Sequence, residues 1–142
     1  MVDGWENLMA IIRDLTKKQR KEIGIMFNFE KLDVWQKAID FADLVYQVTR
    51  AFADDERFGL TSQMRRAAVS VSSNIAEGSA RFSRPDFARF LEIASGSLLE
   101  VVSQSFVARR NGFLSESDFQ QIYRAAEEQG RMLSGLRNSL PV

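Results

Sequence analysis

Apolar residues recur every three or four positions in four long stretches of this chain, whereas no stretch shows the strict alternation of a half-buried strand. The first stretch runs from about Asp33 to Ala53, and its apolar seam consists of Val34, Ala38, Phe41, Val45, Val48 and Phe52. Spacings of four and three alternate along this seam, which is the repeat of a helix that packs in a bundle. The pattern therefore predicts an all-α protein.

Clusters of turn and capping residues separate the four stretches. The second stretch opens at Thr61, and the third follows Ser83. Asn111-Gly112 predicts the end of the third helix, and Ser115 predicts the N-cap of the fourth. Because short connections force long successive helices to run antiparallel, we expect an up-down-up-down four-helix bundle roughly 30 to 40 Å long.

Two local motifs refine the helix starts. Asp33, with Gln36 three residues later, matches a capping box at the start of the first helix. Phe82 precedes the cap of the third helix and Phe87 follows that cap by four residues, which is the spacing of a hydrophobic staple. We expect both motifs to form.

Residues 1–28 stand apart from the predicted bundle at 29–142. An amphipathic pattern is followed there by a basic run, which consists of Lys17, Lys18, Arg20 and Lys21. This segment predicts an additional helical extension that docks on the bundle or on a partner. The alternative is that Met26 is the biological start and that the extension is loosely attached.

The N-terminal segment carries acidic residues where a secretory signal would be basic. No window approaches the roughly 20 apolar residues that span a bilayer. The chain also has no cysteine with which to form a disulfide. We therefore expect a cytoplasmic protein without a targeting or membrane segment.

Histidine and cysteine are both absent from the 142 residues. Their absence removes the commonest general base, thiolate nucleophiles and the usual ligands of zinc. An enzyme would have to use carboxylates alone, and the candidates for a magnesium site are Asp40, Asp43, Glu92 and Glu100. Their spacing gives no tight cluster. We expect a non-enzymatic protein with no cofactor and no metal, and a carboxylate-only metal-dependent enzyme is the alternative.

The 19 Lys and Arg residues balance 19 Asp and Glu residues, which argues against a surface that is basic throughout. Residues 61–90, however, hold five Arg against two acidic residues, with phenylalanines interleaved. Aromatic rings beside cations hold single-stranded nucleic acid. The predicted sites for RNA or a ribonucleoprotein partner are Arg65, Arg66, Arg81 and Arg84, together with Lys17, Lys18, Arg20 and Lys21. The alternative is that the phenylalanines belong to the staple and the core, and that Glu77 pairs with Arg81.

A polar stripe runs along the second helix, opposite its apolar seam. Its central residues are Ser70, Ser73, Asn74 and Glu77. Small residues flank the stripe, so a neighbouring backbone can approach it closely. Hydrogen-bonding groups in such a position predict an interface between subunits.

Three ordered segments carry a resemblance to a known family. They read FEKLDVWQKA at 29–38, RFGLTSQMRRAA at 57–68 and SNIAEG at 73–78, and the likeness continues to about Leu140. The chain resembles the four-helix-bundle proteins encoded in intervening sequences of bacterial 23S rRNA genes. Relatives of that family include the accessory variability protein of diversity-generating retroelements.

The resemblance implies a homopentameric barrel with a central channel and without an established enzymatic activity. It also implies, through the retroelement relatives, a basic barrel that works with a reverse transcriptase and nucleic acid, from which this neutral chain departs. We therefore expect a self-assembling interaction or scaffold protein.

Overall fold

The computed structural model describes residues 27–141 and six separate positions before them, which are Gly4, Ala10, Ile11, Thr16, Lys18 and Gln19. The bundle is built from four α-helices, which are α1 (Asp33–Thr49), α2 (Leu60–Ser79), α3 (Arg84–Arg110) and α4 (Glu116–Ser139). Short 3-10 helices at Asn28–Lys31 and Asp54–Glu56 precede α1 and α2. No strand occurs among the described residues. The apolar pattern predicted within residues 1–26 lies almost entirely outside them.

Each helix packs against its neighbour in the chain, and α1 also packs against α4. Ser97 of α3 donates a hydrogen bond to Ser70 near the middle of α2, and the end of α2 meets the beginning of α3 at Gly78. The end of α3 meets the beginning of α4, where Arg109 pairs with Glu116. These contacts join opposite ends of successive helices, as an antiparallel bundle requires. The predicted all-α four-helix bundle is confirmed.

The core consists largely of the positions that the three-four spacing selects. All six predicted seam residues of α1 are buried. The same spacing selects Met64, Ala68, Val71, Ile75 and Phe82 for the second helix, and all are buried except Phe82, which lies beyond the end of α2 and is fully exposed. The seam of α3 is buried throughout and consists of Phe87, Leu91, Ala94, Leu98, Val101 and Ser105. Helix α4 departs from this pattern at Tyr123, which is exposed. The ring of Tyr123 is tilted against the ring of Phe119.

The helix ends follow the predicted caps in α3 and α4. Ser83 Oγ accepts a hydrogen bond from the backbone N–H of Asp86 at 3.2 Å, and Ser115 Oγ accepts one from Asp118 at 3.1 Å. Gly112 follows α3 with a φ of 78°, which only glycine adopts without strain. Local capping chemistry thus sets three of these ends.

Both refinements of the helix starts are wrong. The N-cap of α1 is Leu32, whose buried side chain belongs to the core, and Asp33 is the first helical residue. Phe82 forms no staple, because it is fully exposed in the α2–α3 connection, whereas Phe87 is buried. Helix α1 also ends earlier than predicted, at Thr49, whose hydroxyl bonds back to the Val45 carbonyl at 2.7 Å.

Helices α2 and α3 approach most closely at Gly78. A Cβ on this residue would lie 2.7 Å from Phe90 Cβ and 2.9 Å from Phe87 Cδ1. Real Cβ atoms do not reach such distances, so the two helices could not sit this close with any larger residue. Gly78 therefore sets the spacing of the α2–α3 pair.

By length and composition alone, α3 is apolar enough to cross a membrane, which the sequence expectation did not anticipate. In this fold α3 packs against α2 and α4 and supplies nine buried residues. Four further apolar side chains of α3 lie on the outside of the bundle, and they are Ile93, Leu99, Phe106 and Val107. Helix α3 therefore carries more apolar side chains than the core of one subunit buries.

We expect Gly78→Ala to lower the free energy of unfolding by up to about 2 kcal/mol. Overpacking costs typically about 1–3 kcal/mol, which outweighs the roughly 1 kcal/mol that alanine gains over glycine in a helix. The matched control is Gly135→Ala in α4, where an added Cβ meets nothing within 4 Å and should stabilise the protein. Chemical denaturation measures both. Equal effects of the two substitutions would contradict the close approach.

Candidate interaction surfaces

Arg65 contributes to the contact between α1 and α2. Its Nε donates a hydrogen bond to Thr49 Oγ1 at 2.9 Å, and its guanidinium lies 4.6 Å from the centre of the Tyr46 ring. Arg66, the next residue, is exposed. Of the two adjacent arginines in the predicted basic site, Arg65 joins helices and Arg66 faces outward.

Arg81 lies at the connection between α2 and α3, beside an aromatic ring. Its guanidinium is 4.5 Å from the centre of the Phe90 ring, and Arg89 approaches the same ring at 5.1 Å. Phe82 is fully exposed next to Arg81, and Arg84 is exposed at the start of α3. This basic turn, as we call Arg81, Phe82, Arg84, Arg89 and Phe90, places cations over one buried ring, Phe90, and next in sequence to one exposed ring, Phe82.

The structure does not bring the predicted basic residues together. Arg65 lies about 21 Å from the end of α2, at 1.5 Å per residue, and Arg81 follows that end. Within the N-terminal run, Lys18 is exposed. Lys17, Arg20 and Lys21 lie outside the described residues. Of the described residues in the predicted basic set, Arg81 and Arg84 therefore belong to one group, the basic turn.

The predicted polar stripe of α2 divides into two parts. Asn74 donates hydrogen bonds to the Ser70 carbonyl at 2.8 Å and to Ser70 Oγ at 3.0 Å, and Ser97 of α3 donates to that same hydroxyl. These groups therefore join α2 to α3 within one subunit. Ser73 and Glu77 are exposed, and no ion pair of Glu77 occurs among the described residues, Arg81 included.

The candidate carboxylates do not form a metal site. In the described part of the chain, no three acidic side chains are grouped closely enough to hold a metal ion. Glu92 accepts hydrogen bonds from Arg137 at 3.0 Å, whereas Asp40, Asp43 and Glu100 are exposed. The carboxylates thus lie apart on the surface.

At the other end of α3, Arg109 is surrounded by the start of α4. Its guanidinium lies 3.7 Å from the centre of the Phe119 ring and 3.1 Å from Glu116. The pKa of Glu116 lies below its usual range because Gln120 donates a hydrogen bond to the carboxylate and because Arg109 carries a positive charge beside it. Arg109 therefore joins the end of α3 to the beginning of α4.

The outward side of α3 is the largest feature that the sequence prediction missed. Leu99 is 67% exposed and Val107 is 50% exposed, although both are apolar. The outer face of α3, as we define it, consists of Ile93, Gly96, Leu99, Ser103, Phe106 and Val107, all exposed. A signal existed in the doublet Leu98-Leu99, because a helix that buries Leu98 turns the next side chain about 100° away from the core.

The division between Arg65 and Arg66 gives a direct test. We expect Arg65→Ala to lower the free energy of unfolding by about 1 kcal/mol, because it removes a hydrogen bond and a cation–π contact. Arg66→Ala is the matched control and should stay within about 0.5 kcal/mol of the wild type. Thermal denaturation followed by circular dichroism measures both. The assignment fails if Arg66→Ala proves the more damaging of the two.

Comparisons with known proteins agree with this architecture. Residues 30–135 match the family described as 23S rRNA-intervening sequence protein. A solved structure of a protein of unknown function from the S23 ribosomal protein family of Bacteroides thetaiotaomicron VPI-5482 has the same fold, with 22% identity and a TM-score of 0.69. The similarity covers 74% of this chain and 95% of that one. A search of curated proteins finds no significant match. Because the family match spans most of the sequence, the chain belongs to the 23S rRNA-intervening sequence proteins.

Proposed function

We propose that this chain is a non-enzymatic cytoplasmic protein that assembles with copies of itself and serves as an interaction scaffold. The observation that carries the proposal is the outer face of α3. Burial of a Leu or Val side chain is worth about 1.5–3 kcal/mol, so covering this face offsets part of the entropy that association costs. Exposed large apolar side chains grouped on one face of a helix are typical of interaction sites.

A closed ring needs two different surfaces on each copy, because each subunit contacts its neighbours through unlike faces. The second surface we propose lies on α1 and α2, where Ile39, Tyr46 and Val69 are each more than a third exposed. Arg65 covers one side of Tyr46 and stiffens this region. The exposed Ser73 and Glu77 are the members of the predicted polar stripe available to the same contact. The family resemblance favours five copies.

We expect Leu99→Lys to lower the assembled mass, because it places a charge in the centre of the buried contact. The matched control is Phe58→Lys, which changes a still more exposed apolar residue in the α1–α2 connection. Light scattering coupled to size-exclusion chromatography measures the mass, and circular dichroism verifies folding. Unchanged mass in Leu99→Lys, or dissociation by Phe58→Lys alone, would count against the outer face of α3 as the interface.

Binding of single-stranded RNA, alone or in a ribonucleoprotein, is a second candidate function. The basic turn favours it, because Arg81 and Arg89 flank Phe90 while Phe82 stands fully exposed beside them. A base can stack on the exposed ring of Phe82 while neighbouring cations contact the phosphates, whereas the buried ring of Phe90 serves to position Arg81 and Arg89. The neutral total charge restricts this role to a local site.

We expect RNA affinity to fall steeply with salt and to depend on the basic turn. A fluorescent single-stranded oligoribonucleotide is titrated at about 50 and 200 mM salt, where each lost phosphate contact reduces the slope of log K by roughly 0.7. The double variant Arg81→Ala, Arg84→Ala should flatten that slope by about 1.4, two contacts' worth. The control, Arg124→Ala with Arg131→Ala, removes exposed α4 cations. Absence of binding at the lower salt concentration excludes this function.

A further inference from the structure

A groove at one end of the bundle is not used by either proposed function. It lies between the start of α1 and the C-terminal half of α4, and it has a volume of about 320 Å³. The outer face of α3 does not contribute to it. Its apolar wall consists of Leu32, Val34, Met132 and Leu136. The polar residues beside this wall, Lys31 and Asp33, are exposed. The groove therefore offers an apolar surface to whatever covers it.

Gly4, which belongs to the N-terminal segment, also lines this groove. Gly4 is helical, as are Ala10 and Ile11. In a helix, Leu8 lies on the same side as Gly4, one turn later. Leu8 is a member of the apolar pattern of this segment, which consists of Trp5, Leu8, Met9, Ile12 and Leu15. The side of the segment that meets the groove at Gly4 is thus its apolar side.

A capping box separates this apolar pattern from the basic run. The backbone N–H of Gln19 donates a hydrogen bond to Thr16 Oγ1 at 3.1 Å, and the backbone N–H of Thr16 donates one to Gln19 Oε1 at 2.9 Å. Thr16 is not helical, whereas Lys18 and Gln19 are. Because this reciprocal pair marks the start of a helix, the apolar pattern before Thr16 is a separate element of about three turns.

The connection to the bundle keeps this element near the groove. Residues 17–26 join Thr16 to Phe27, and Lys31 and Leu32 of the groove follow Phe27 by only four and five positions. A stretch of ten residues spans about 15 Å as a helix and more when extended. Such a tether gives an effective concentration of about a millimolar. Docking within one chain therefore requires less affinity than capture of a free partner.

We propose that the amphipathic helix of residues 4–15 docks by its apolar side into this groove of its own chain. A helix of about three turns is marginal in water on its own, and packing of one face stabilises it. Met132 and Leu136, which are only partly buried, supply that packing. Lys18, which follows the capping box, stays exposed. The docked segment adds a fifth helix to the bundle.

Two other occupants suit the groove less well. Small-molecule sites carry a few precisely placed polar groups that orient the ligand, whereas Lys31 and Asp33 are both exposed here. The N-terminal segment of a second copy has the same apolar side. Only the segment of the same chain, however, is held beside the groove by the tether.

Trp5 reports docking directly, because Trp35 is the only other tryptophan in the chain. The experiment uses the full chain with Trp35→Phe, which keeps a ring against Phe29. We expect Trp5 to emit at short wavelength and to resist quenching by acrylamide. Leu8→Lys should lower the docking equilibrium constant by about tenfold or more and shift the emission to longer wavelength, because a charge replaces a buried leucine. Ile11→Lys is the matched control and should leave the emission unchanged, because Ile11 is 61% exposed.

Cross-linking identifies the occupant, and the absence of native cysteine makes it specific. Gly4→Cys is combined with Leu136→Cys in the full chain, since a Cβ added at Gly4 meets nothing within 4 Å. The control combines Gly4→Cys with Ser134→Cys, because Ser134 is exposed on α4 and does not line the groove. We expect a short bis-maleimide to join residues 4 and 136 within one chain, faster than it joins residues 4 and 134. A denaturing gel separates this product from a cross-linked dimer.

Four results would overturn the proposal. Emission of an exposed indole before Leu8 is changed would leave the groove open to a free ligand. Equal shifts in Leu8→Lys and Ile11→Lys would remove the apolar side as the contact. A cross-linked dimer as the main product would assign the groove to the segment of a second copy. Equal cross-linking rates at residues 134 and 136 would show a segment that is tethered without docking. Neither RNA nor the outer face of α3 enters these measurements.

Discussion

The close approach of α2 and α3 at Gly78 is the constraint on which the rest of this structure depends. A Cβ at this position would collide with Phe90 and Phe87, so the two backbones meet only because a hydrogen occupies the site. The same contact holds Phe90 where Arg81 and Arg89 reach its ring. It also brings Ser97 to the Ser70 hydroxyl. With α3 held in this position, Leu99 and Val107 face away from the core.

Periodicity and local capping were sufficient to predict the bundle. The seam of α1 and the caps at Ser83 and Ser115 depend only on residues within a few positions of one another, and the structure confirms them. The staple predicted at Phe82 does not form. The spacing of apolar residues does not show whether a ring in a connection turns toward the core or toward solvent. In the sequence, an apolar residue at the edge of a seam looks the same whether it packs on the core or faces solvent.

The candidate surfaces depend on partners that are distant in sequence, which explains why they were predicted only in part. Arg65 and Arg66 have the same chemistry, and Thr49 and Tyr46 on another helix decide that Arg65 is held within the fold. Gln129 is polar yet buried, because it reaches the Val34 carbonyl across the bundle. The excess apolar surface of α3 is visible in its sequence, but its outward direction follows from its packing on α2.

We propose above all that copies of this chain assemble through the outer face of α3. Native mass spectrometry of the wild-type protein tests it most directly, because the subunit mass of 16.2 kDa converts each observed mass into a number of copies. We expect a dominant species of five copies that persists on dilution into the low micromolar range. A spectrum dominated by the single chain at all concentrations would contradict it.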